Sequence, residues 1–282
     1  MRTGIVLEGG ALRGIFTAGV LDYLMENNLR TDYAVGVSAG GGNAMAYKSN
    51  QPGRTKNVIL RPKEELFNKA GELIKTGNVL NLDKMYDTDP YSEDYFFDFD
   101  TYYKSDMEVE YVVTCCESGQ AEYLSENRYN KRLTDMVKAS CSVPVLCRPV
   151  EIDGKHYLDG SIADSIPVVR AFEKGCDRVI VVLTKSSAGK PTNYTKYRTI
   201  IERMYKGYPA FICACFERVS MYEAQVDILN SFVNEGRVLV IQPEMEDMSK
   251  FESDKNIIMA HYNHGVEIAE REFQRIVRFL GK

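Results

Sequence analysis

Two successive units, each a short apolar strand followed by a turn and a helix, open this chain. The first unit runs from residues 5–7 through a glycine-rich turn at residues 8–14, and the second from Tyr33–Val37 into a small-residue helix after Ser38. The alternation of strands and helices resumes late in the chain, where a β-branched strand covers residues 178–184. Strands joined through helices pair in parallel. The repeat therefore predicts an α/β fold with a mainly parallel central sheet flanked by helices in three layers.

The stretch between residues 51 and 105 interrupts this rhythm with a predicted helix over residues 63–75 and an acidic, aromatic segment. We interpret it as an inserted cap or lid within a single domain spanning residues 1–282. The alternative is a solvated insertion whose aromatic side chains pack on the core. The other predicted elements are hairpins over 108–115 with 121–124 and 150–152 with 156–158, helices over 131–139, 200–205, 211–232 and 256–279, and a strand over 238–242.

Composition and charge limit which partners and which cellular location are expected for the chain. Its 35 basic and 40 acidic residues give a formal net charge of −5, which predicts no binding to nucleic acid and only local contact with lipid. No apolar run approaches a membrane span, and the stretch before Glu8 is too short for a signal-peptide core. The 7 cysteines lack paired C-x-x-C spacing, which indicates reduced thiols and a cytoplasmic location. We predict no metal site and no cofactor.

The pentapeptide Gly36-Val37-Ser38-Ala39-Gly40 matches the G-x-S-x-G nucleophile elbow. In such an elbow the serine sits on a sharp strand-to-helix turn, and small neighbours allow the backbone to approach closely. The helix that follows aims its N-terminal N–H groups at the serine. The competing interpretation is a glycine-rich turn of a Rossmann-like domain.

The turn at residues 8–14, Glu-Gly-Gly-Ala-Leu-Arg-Gly, lies between the first strand and the first helix. Its backbone N–H groups could hold an oxyanion at the carboxyl edge of the sheet. The spacing also resembles a dinucleotide-binding turn, but that site needs an acidic residue at the end of the second strand, where this chain has Ser38. Arg13 is either an exposed helix residue or a group that steadies the turn or an anion.

A serine nucleophile needs a base, and the 3 histidines are poor candidates. His156 lies in a hairpin strand, whereas His261 and His264 lie in the last predicted helix. Asp159 follows an apolar strand end and precedes Gly160, a place from which a carboxylate can reach the same sheet edge. With an ordinary pKa of about 3.9 it is a weak base, so positioning and the oxyanion donors must carry much of the catalysis.

Four features in this order resemble the patatin-like phospholipase family: the loop at residues 9–14, the elbow, Ala139-Ser140-x-x-x-Pro144, and Asp159-Gly160. The resemblance implies hydrolysis of lipid acyl esters through an acyl-enzyme, with no metal or cofactor. It also implies roles for a set of residues, namely the dyad Ser38 and Asp159, the oxyanion donors Gly9, Gly10 and Ala11, and the supporting residues Arg13, Gly14, Gly36, Gly40 and Gly160.

Two positions depart from the family pattern: Ala11, where a third glycine is usual, and Ser161, where glycine or alanine is usual. Alanine still donates its N–H, so we expect the first change to be tolerated if Ala11 has a negative φ. Ser161 either tunes Asp159 by hydrogen bonding or faces solvent. Two other functions stay open, namely an acyltransferase that uses the same acyl-enzyme and a non-catalytic lipid-binding protein.

An aromatic stripe over residues 205–221 could provide transient membrane-surface contact, although such a stripe is more often core packing. Its members are Tyr208, Phe211, Ile212 and Phe216.

Overall fold

An eight-stranded sheet forms the centre of the protein in a computed structural model that describes residues 1–186 and 189–282. Its order is β5-β6-β3-β2-β1-β7-β8, with β4 paired to β3. Parallel pairings join β3, β2, β1, β7 and β8, whereas β4, β5 and β6 are antiparallel. The strands are β1 (Thr3–Leu7), β2 (Tyr33–Val37), β3 (Glu108–Cys115), β4 (Ala121–Leu124), β5 (Val150–Ile152), β6 (Lys155–Asp159), β7 (Arg178–Val182) and β8 (Val238–Ile241). The predicted α/β class with a mainly parallel sheet is confirmed.

Helices cover both faces of this sheet. The α-helices are α1 (Gly14–Glu26), α2 (Ala39–Lys48), α3 (Arg54–Ile59), α4 (Lys63–Leu66), α5 (Ala70–Thr76), α6 (Phe99–Lys104), α7 (Asn130–Ser140), α8 (Val168–Glu173), α9 (Arg198–Met204), α10 (Pro209–Asn234) and α11 (Lys255–Leu280). Because side chains of a strand alternate between the two faces, Ile5 and Leu7 of β1 pack with α1, α2, α7 and α11, whereas Val6 packs on the opposite face with α8 and α10. No helix of the described residues is long and apolar enough to cross a membrane.

The first and last helices, α1 and α11, cross at very short distance through two glycines. A Cβ on Gly19 would lie 2.2 Å from the carbonyl oxygen of Tyr262, and a Cβ on Gly265 would lie 2.2 Å from that of Phe16. Real side chains do not approach a backbone so closely, so each glycine is required by the packing of the other helix. This crossing attaches the C-terminal part of the chain to the N-terminal unit.

The insertion contains two short helices, α4 and α5, where the sequence predicted one helix over residues 63–75. That prediction is wrong because Phe67 forms a β-bridge with Leu80, and the side-chain amide of Asn68 donates to the carbonyl of Asn78 at 3.0 Å. These contacts hold the chain in an extended conformation between the two helices. Local helical propensity therefore yields to pairing with a distant segment.

The acidic, aromatic segment of the insertion is anchored from both sides. Phe97 and Tyr102 are fully buried in the main core. Arg61 forms a buried ion pair with Asp89 at 2.5 Å and stacks over Tyr95. These contacts agree with the alternative in which aromatic side chains pack on the core, while the part of the insertion near residues 58–86 lies beside Ser38. A lid function for it stays a prediction.

The predicted hairpin between β5 and β6 is present, and its turn has the conformation that its sequence demands. Asp153 and Gly154 have φ angles of 52° and 78°, as a two-residue turn of the I′ type requires. The register of β6 then decides where Asp159 lies. On β3, Val112 pairs with Val37, and the next residue, Val113, pairs with Asp159.

Candidate active site

Ser38 occupies a strained elbow between β2 and α2. Its φ of 54° and ψ of −125° are unusual for a residue with a side chain. The flanking glycines are required by contact, since a Cβ on Gly36 would lie 2.4 Å from the carbonyl oxygen of Gly40, and a Cβ on Gly40 would lie 2.1 Å from that of Leu7. The predicted strand, sharp turn and helix are therefore all present around this serine.

A buried hydroxyl holds the elbow from the side of α7. The N–H of Ser38 donates to Oγ of Ser140 at 2.8 Å, and Ser140 has no exposed surface. This contact explains the serine of the segment at residues 139–144, to which the sequence assigned no role. The motif at residues 139–144 marked Ser140 in the sequence, but only the fold shows that its hydroxyl contacts the N–H of Ser38.

The structure places Asp159 directly beside Ser38. Oγ of Ser38 donates to Oδ2 of Asp159 at 2.8 Å, while Oδ1 accepts from the N–H of Ser161 at 2.8 Å. Both residues are buried, with 6% and 2% of their surfaces exposed. Burial raises the pKa of Asp159 above its ordinary value, against the lowering effects of the Ser161 N–H, the Ser38 hydroxyl and the charge of Arg218. The carboxylate is thus a stronger base than the sequence predicted.

The loop after β1 presents backbone donors to the same cavity. The carbonyl of Gly9 accepts from Oγ1 of Thr184 at 2.8 Å, and the carbonyl of Gly10 accepts from the N–H of Arg13 at 3.1 Å. In a planar trans peptide the N–H points opposite to the carbonyl. The N–H groups of Gly10 and Ala11 therefore point away from these partners, on a loop whose residues line the cavity with Ser38.

One loop residue takes a conformation that the sequence did not specify, and two loop glycines lie against the elbow. Ala11 has a φ of 50°, so the condition of a negative φ is not met and the alanine carries the strain that a glycine would avoid. A Cβ on Gly14 would lie 2.9 Å from Cβ of Ala39, and a Cβ on Gly9 would lie 2.8 Å from that of Ser38. The loop and the elbow are thus in direct contact.

Comparison with known proteins adds an independent observation. Residues 5–112 and 117–172, more than half of the chain, match the family model described as patatin-like phospholipase. The chain belongs to this family. A second model, described as a domain of unknown function (DUF6363), matches residues 208–281, where the sequence alone showed no motif.

Relatives of this patatin-like protein include an uncharacterized protein, YjjU, of Escherichia coli (strain K12). It is 34% identical over 201 residues, which cover 66% of this chain and 53% of that protein. Lysophospholipase NTE1 of Saccharomyces cerevisiae is 25% identical over 267 residues, which cover 88% of this chain and 15% of that protein. This chain therefore spans about half the length of the first relative and less of the second. The fold also matches the crystal structure of VipD from Legionella pneumophila with a TM-score of 0.48 and 16% sequence identity. This match covers 96% of this chain and 66% of the VipD chain.

Two cavities of this patatin-like site meet at Ser38. One, of about 380 Å³, is bounded by the loop at residues 8–14, Asp159 and several cationic side chains. The other, of about 120 Å³, lies under the insertion and has an apolar lining. The apolar side chains of this second cavity are Leu12, Val58, Ile59, Leu66, Phe67, Leu80, Leu82, Met85, Val143 and Phe251. Ser38 therefore lies between a cavity with charged side chains and one with an apolar lining.

The histidines have other partners. The ring of His156 contacts Glu117 at 3.0 Å, His261 contacts backbone carbonyls on both sides of its ring, and Nε2 of His264 accepts the N–H of Glu244 at 3.0 Å. Neither cavity at Ser38 has a histidine in its described lining. Within the described residues, no group of three His, Cys, Asp or Glu side chains could hold a metal ion.

Arg13 connects the loop at residues 8–14 to a segment that the sequence did not associate with the site. Its guanidinium donates to the carbonyl of Met248 at 2.7 Å, and the N–H of Leu12 donates to the carbonyl of Lys250 at 3.1 Å. The two contacts attach the turn to residues 248–250, and a role of Arg13 in steadying the turn or an anion stays a prediction. Because no local pattern marks residues 248–250, sequence reasoning missed them.

The aromatic stripe at the start of α10 packs inward. Phe211 is fully buried in a core cluster with Leu158 and Ile162, and Tyr208, Ile212 and Phe216 are partly buried against it. This arrangement agrees with core packing, and membrane-surface contact stays a prediction.

Proposed function

We propose that this patatin-like protein hydrolyses acyl esters of lipids through a Ser38–Asp159 dyad and an acyl-enzyme intermediate. The observation that carries the proposal is the hydrogen bond of 2.8 Å between Oγ of Ser38 and the buried carboxylate of Asp159, which lines the same cavity as the loop at residues 9–11. The family supports lipid hydrolysis, and the yeast relative is named as a lysophospholipase.

In the first half-reaction, Oγ of Ser38 attacks the ester carbonyl carbon while its proton moves to Oδ2 of Asp159. The carbonyl oxygen becomes an oxyanion, which the N–H groups of Gly10 and Ala11 would stabilise together with the N-terminus of α2. Collapse of this intermediate breaks the ester C–O bond, and the leaving alcohol takes the proton from Asp159. The acyl group remains on Ser38.

In the second half-reaction, a water molecule gives a proton to Asp159 and attacks the acyl carbon. The bond to Oγ breaks, Ser38 regains the proton, and a carboxylic acid is released. The apolar cavity beside Ser38 would hold the acyl chain during both steps, because burial of each methylene stabilises the bound chain by about 0.8 kcal/mol.

Covalent labelling tests this proposal directly. A fluorophosphonate probe should add once to the wild-type protein, as measured by intact mass, and should not add to Ser38→Ala. Ser142→Ala is the matched control, since Ser142 is equally buried but its hydroxyl donates to the carbonyl of Lys138. Labelling of another serine, or none on folded protein, contradicts the proposal.

A further inference from the structure

The larger cavity beside Ser38 carries an excess of positive charge. Its charged lining consists of Arg13, Lys185, Lys190, Arg218 and Lys250 against Glu8 and Asp159. Glu8 is buried and pairs with Lys185, so these two charges offset each other. Asp159 accepts the hydrogen bond of the Ser38 hydroxyl. Besides Arg13 of the loop, the cationic side chains of Lys190, Arg218 and Lys250 thus line the space next to Ser38.

Two of these cations are held by neutral groups. The guanidinium of Arg218, which is buried, donates to the carbonyls of Ser161 at 2.8 Å and Thr192 at 3.1 Å. The ammonium of Lys250 donates to the hydroxyl of Thr192. Hydroxyl and carbonyl partners fix the positions of both side chains without neutralising their charge.

The charge of Lys250 is destabilised in this setting. Burial and the nearby charges of Arg218, Lys185 and Arg13 lower the pKa of Lys250 to about 8, and the charge of Asp159 opposes the shift. Asp247, on the same segment, accepts the N–H of Ser186 at 2.7 Å. An anion bound between Arg218 and Lys250 would offset this repulsion.

We propose that Arg218 and Lys250 form a subsite for the phosphate group of an anionic lipid ester. The enzyme then prefers lysophospholipids whose headgroup is a phosphate monoester over those with a choline headgroup. This inference rests on the proposed function, because it assigns a binding site to the headgroup of the ester that Ser38 would cleave. Both residues lie outside the segments that match the patatin-like model and inside residues 208–281.

The chemistry of the substrate supports this assignment. In a lysophospholipid only the glycerol carbons separate the ester from the phosphate, so both groups fit a cavity of about 380 Å³ while the acyl chain enters the apolar one. A phosphate monoester is close to dianionic at pH 7 and can accept from both cations. A quaternary ammonium would instead meet the positive charges of Arg13 and Lys190.

Headgroup selectivity provides the test. We compare kcat/KM for lysophosphatidate, lysophosphatidylcholine and monoacylglycerol with the same acyl chain, in wild type, Lys250→Gln and the exposed-lysine control Lys206→Gln. Wild type should prefer lysophosphatidate. In Lys250→Gln the ratio of lysophosphatidate to monoacylglycerol should fall roughly 10-fold or more, mainly through KM, because a charged hydrogen bond is lost. Lys206→Gln should keep the wild-type ratio.

A pH series separates charge from structure. Between pH 7 and pH 9 Lys250 loses its proton, so the wild-type preference for lysophosphatidate should decline, whereas Lys250→Arg should keep it at pH 9. An unchanged ratio in Lys250→Gln, or equal use of both lysophospholipids by wild type, overturns the subsite. If Ser38 also fails to react with the fluorophosphonate, the proposed function has failed as well.

Discussion

Backbone strain at single residues is concentrated around the candidate nucleophile. Among residues 1–186 and 189–282, six residues other than glycine have a positive φ, and three of them are asparagine or aspartate, which tolerate it. The other three are Ala11, Ser38 and Val145, and all three line the larger cavity. Each such conformation costs about 1–3 kcal/mol and persists only where the surroundings enforce it. The surroundings of Ser38 include the Ser140 hydroxyl, and those of Val145 include the Tyr205 hydroxyl, which accepts its N–H at 3.0 Å.

Asp159→Asn should lower kcat by about 100-fold or more, because asparagine cannot accept the serine proton as a carboxylate does. His156→Ala, His261→Ala and His264→Ala should each retain most activity, as measured with a soluble ester. In wild type, activity should fall on the acid side through a pKa above the ordinary aspartate value, because the base must be ionised. A folded histidine variant as inactive as Asp159→Asn contradicts the dyad.

The same substitution should not weaken the fold. Because burial raises the folded-state pKa of Asp159, the folded protein binds this proton more tightly than the unfolded chain. The associated stability is present at low pH and is lost as pH rises through the raised pKa. At pH 7 asparagine removes a buried charge, so Asp159→Asn should unfold at an equal or higher urea concentration than wild type.

Ser140→Ala should reduce both stability and activity. It leaves the N–H of Ser38 buried without a partner, which costs about 1–3 kcal/mol, and it loosens the nucleophile. Ser142→Ala is the control, because its hydroxyl caps only the Lys138 carbonyl. Urea unfolding and kcat on a soluble ester measure the two effects. Equal kcat values for the two variants would refute a positioning role for Ser140.

At the scale of elements, the helix after the elbow forms one wall of the apolar cavity. Gly42 of α2 lines this cavity, and a Cβ there would meet only the hydroxyl of Tyr86, at 3.7 Å. Gly42→Leu should fill the space without strain, and kcat/KM for long acyl esters should fall about 10-fold while acetate esters are nearly unaffected. A series of p-nitrophenyl esters measures this shift.

The control for this series is Gly71→Leu on α5, where an added Cβ meets nothing within 4 Å. Its chain-length profile should match that of wild type. A uniform loss across all chain lengths in Gly42→Leu would mean that the cavity does not hold the acyl chain.

Elements that depend on local signals could be predicted from the sequence, and those that depend on distant contacts could not. The elbow, the Asp153-Gly154 turn and the long helices α10 and α11 follow from spacing and turn residues. The break between α4 and α5 depends on pairing of Phe67 with Leu80, which no local pattern reveals.

For the site, motifs indicated Ser38 and Asp159, and the structure brings them together. The raised pKa of Asp159 depends on burial in the assembled fold, and the place of Lys250 depends on a hydrogen bond from Leu12. Neither property is encoded in adjacent residues.

At the scale of the whole molecule, the segment matched by the second family model continues the same sheet and core. Strand β8 pairs in parallel with β7, and α11 crosses α1 through Gly19 and Gly265. We therefore expect residues 1–282 to unfold as one domain.

Gly265→Ala tests this expectation, because its methyl group would meet the Phe16 carbonyl. The midpoint of urea unfolding should fall, with a loss of about 1–3 kcal/mol, in a single transition seen by both circular dichroism and tyrosine fluorescence. Gly207→Ala, where an added Cβ meets nothing within 4 Å, should stay close to wild type. Separate transitions for the two probes would show that the C-terminal segment folds independently.

The separation of Ser38 and Asp159 along the chain has a consequence during synthesis. They are 121 residues apart, and they meet only after β6 has paired with β3. At a translation rate of about 5–20 residues per second, the serine leaves the ribosome many seconds before its base. Under the proposed mechanism, the nascent chain therefore carries Ser38 without its base until β6 has paired with β3, and we expect it to be inactive until then.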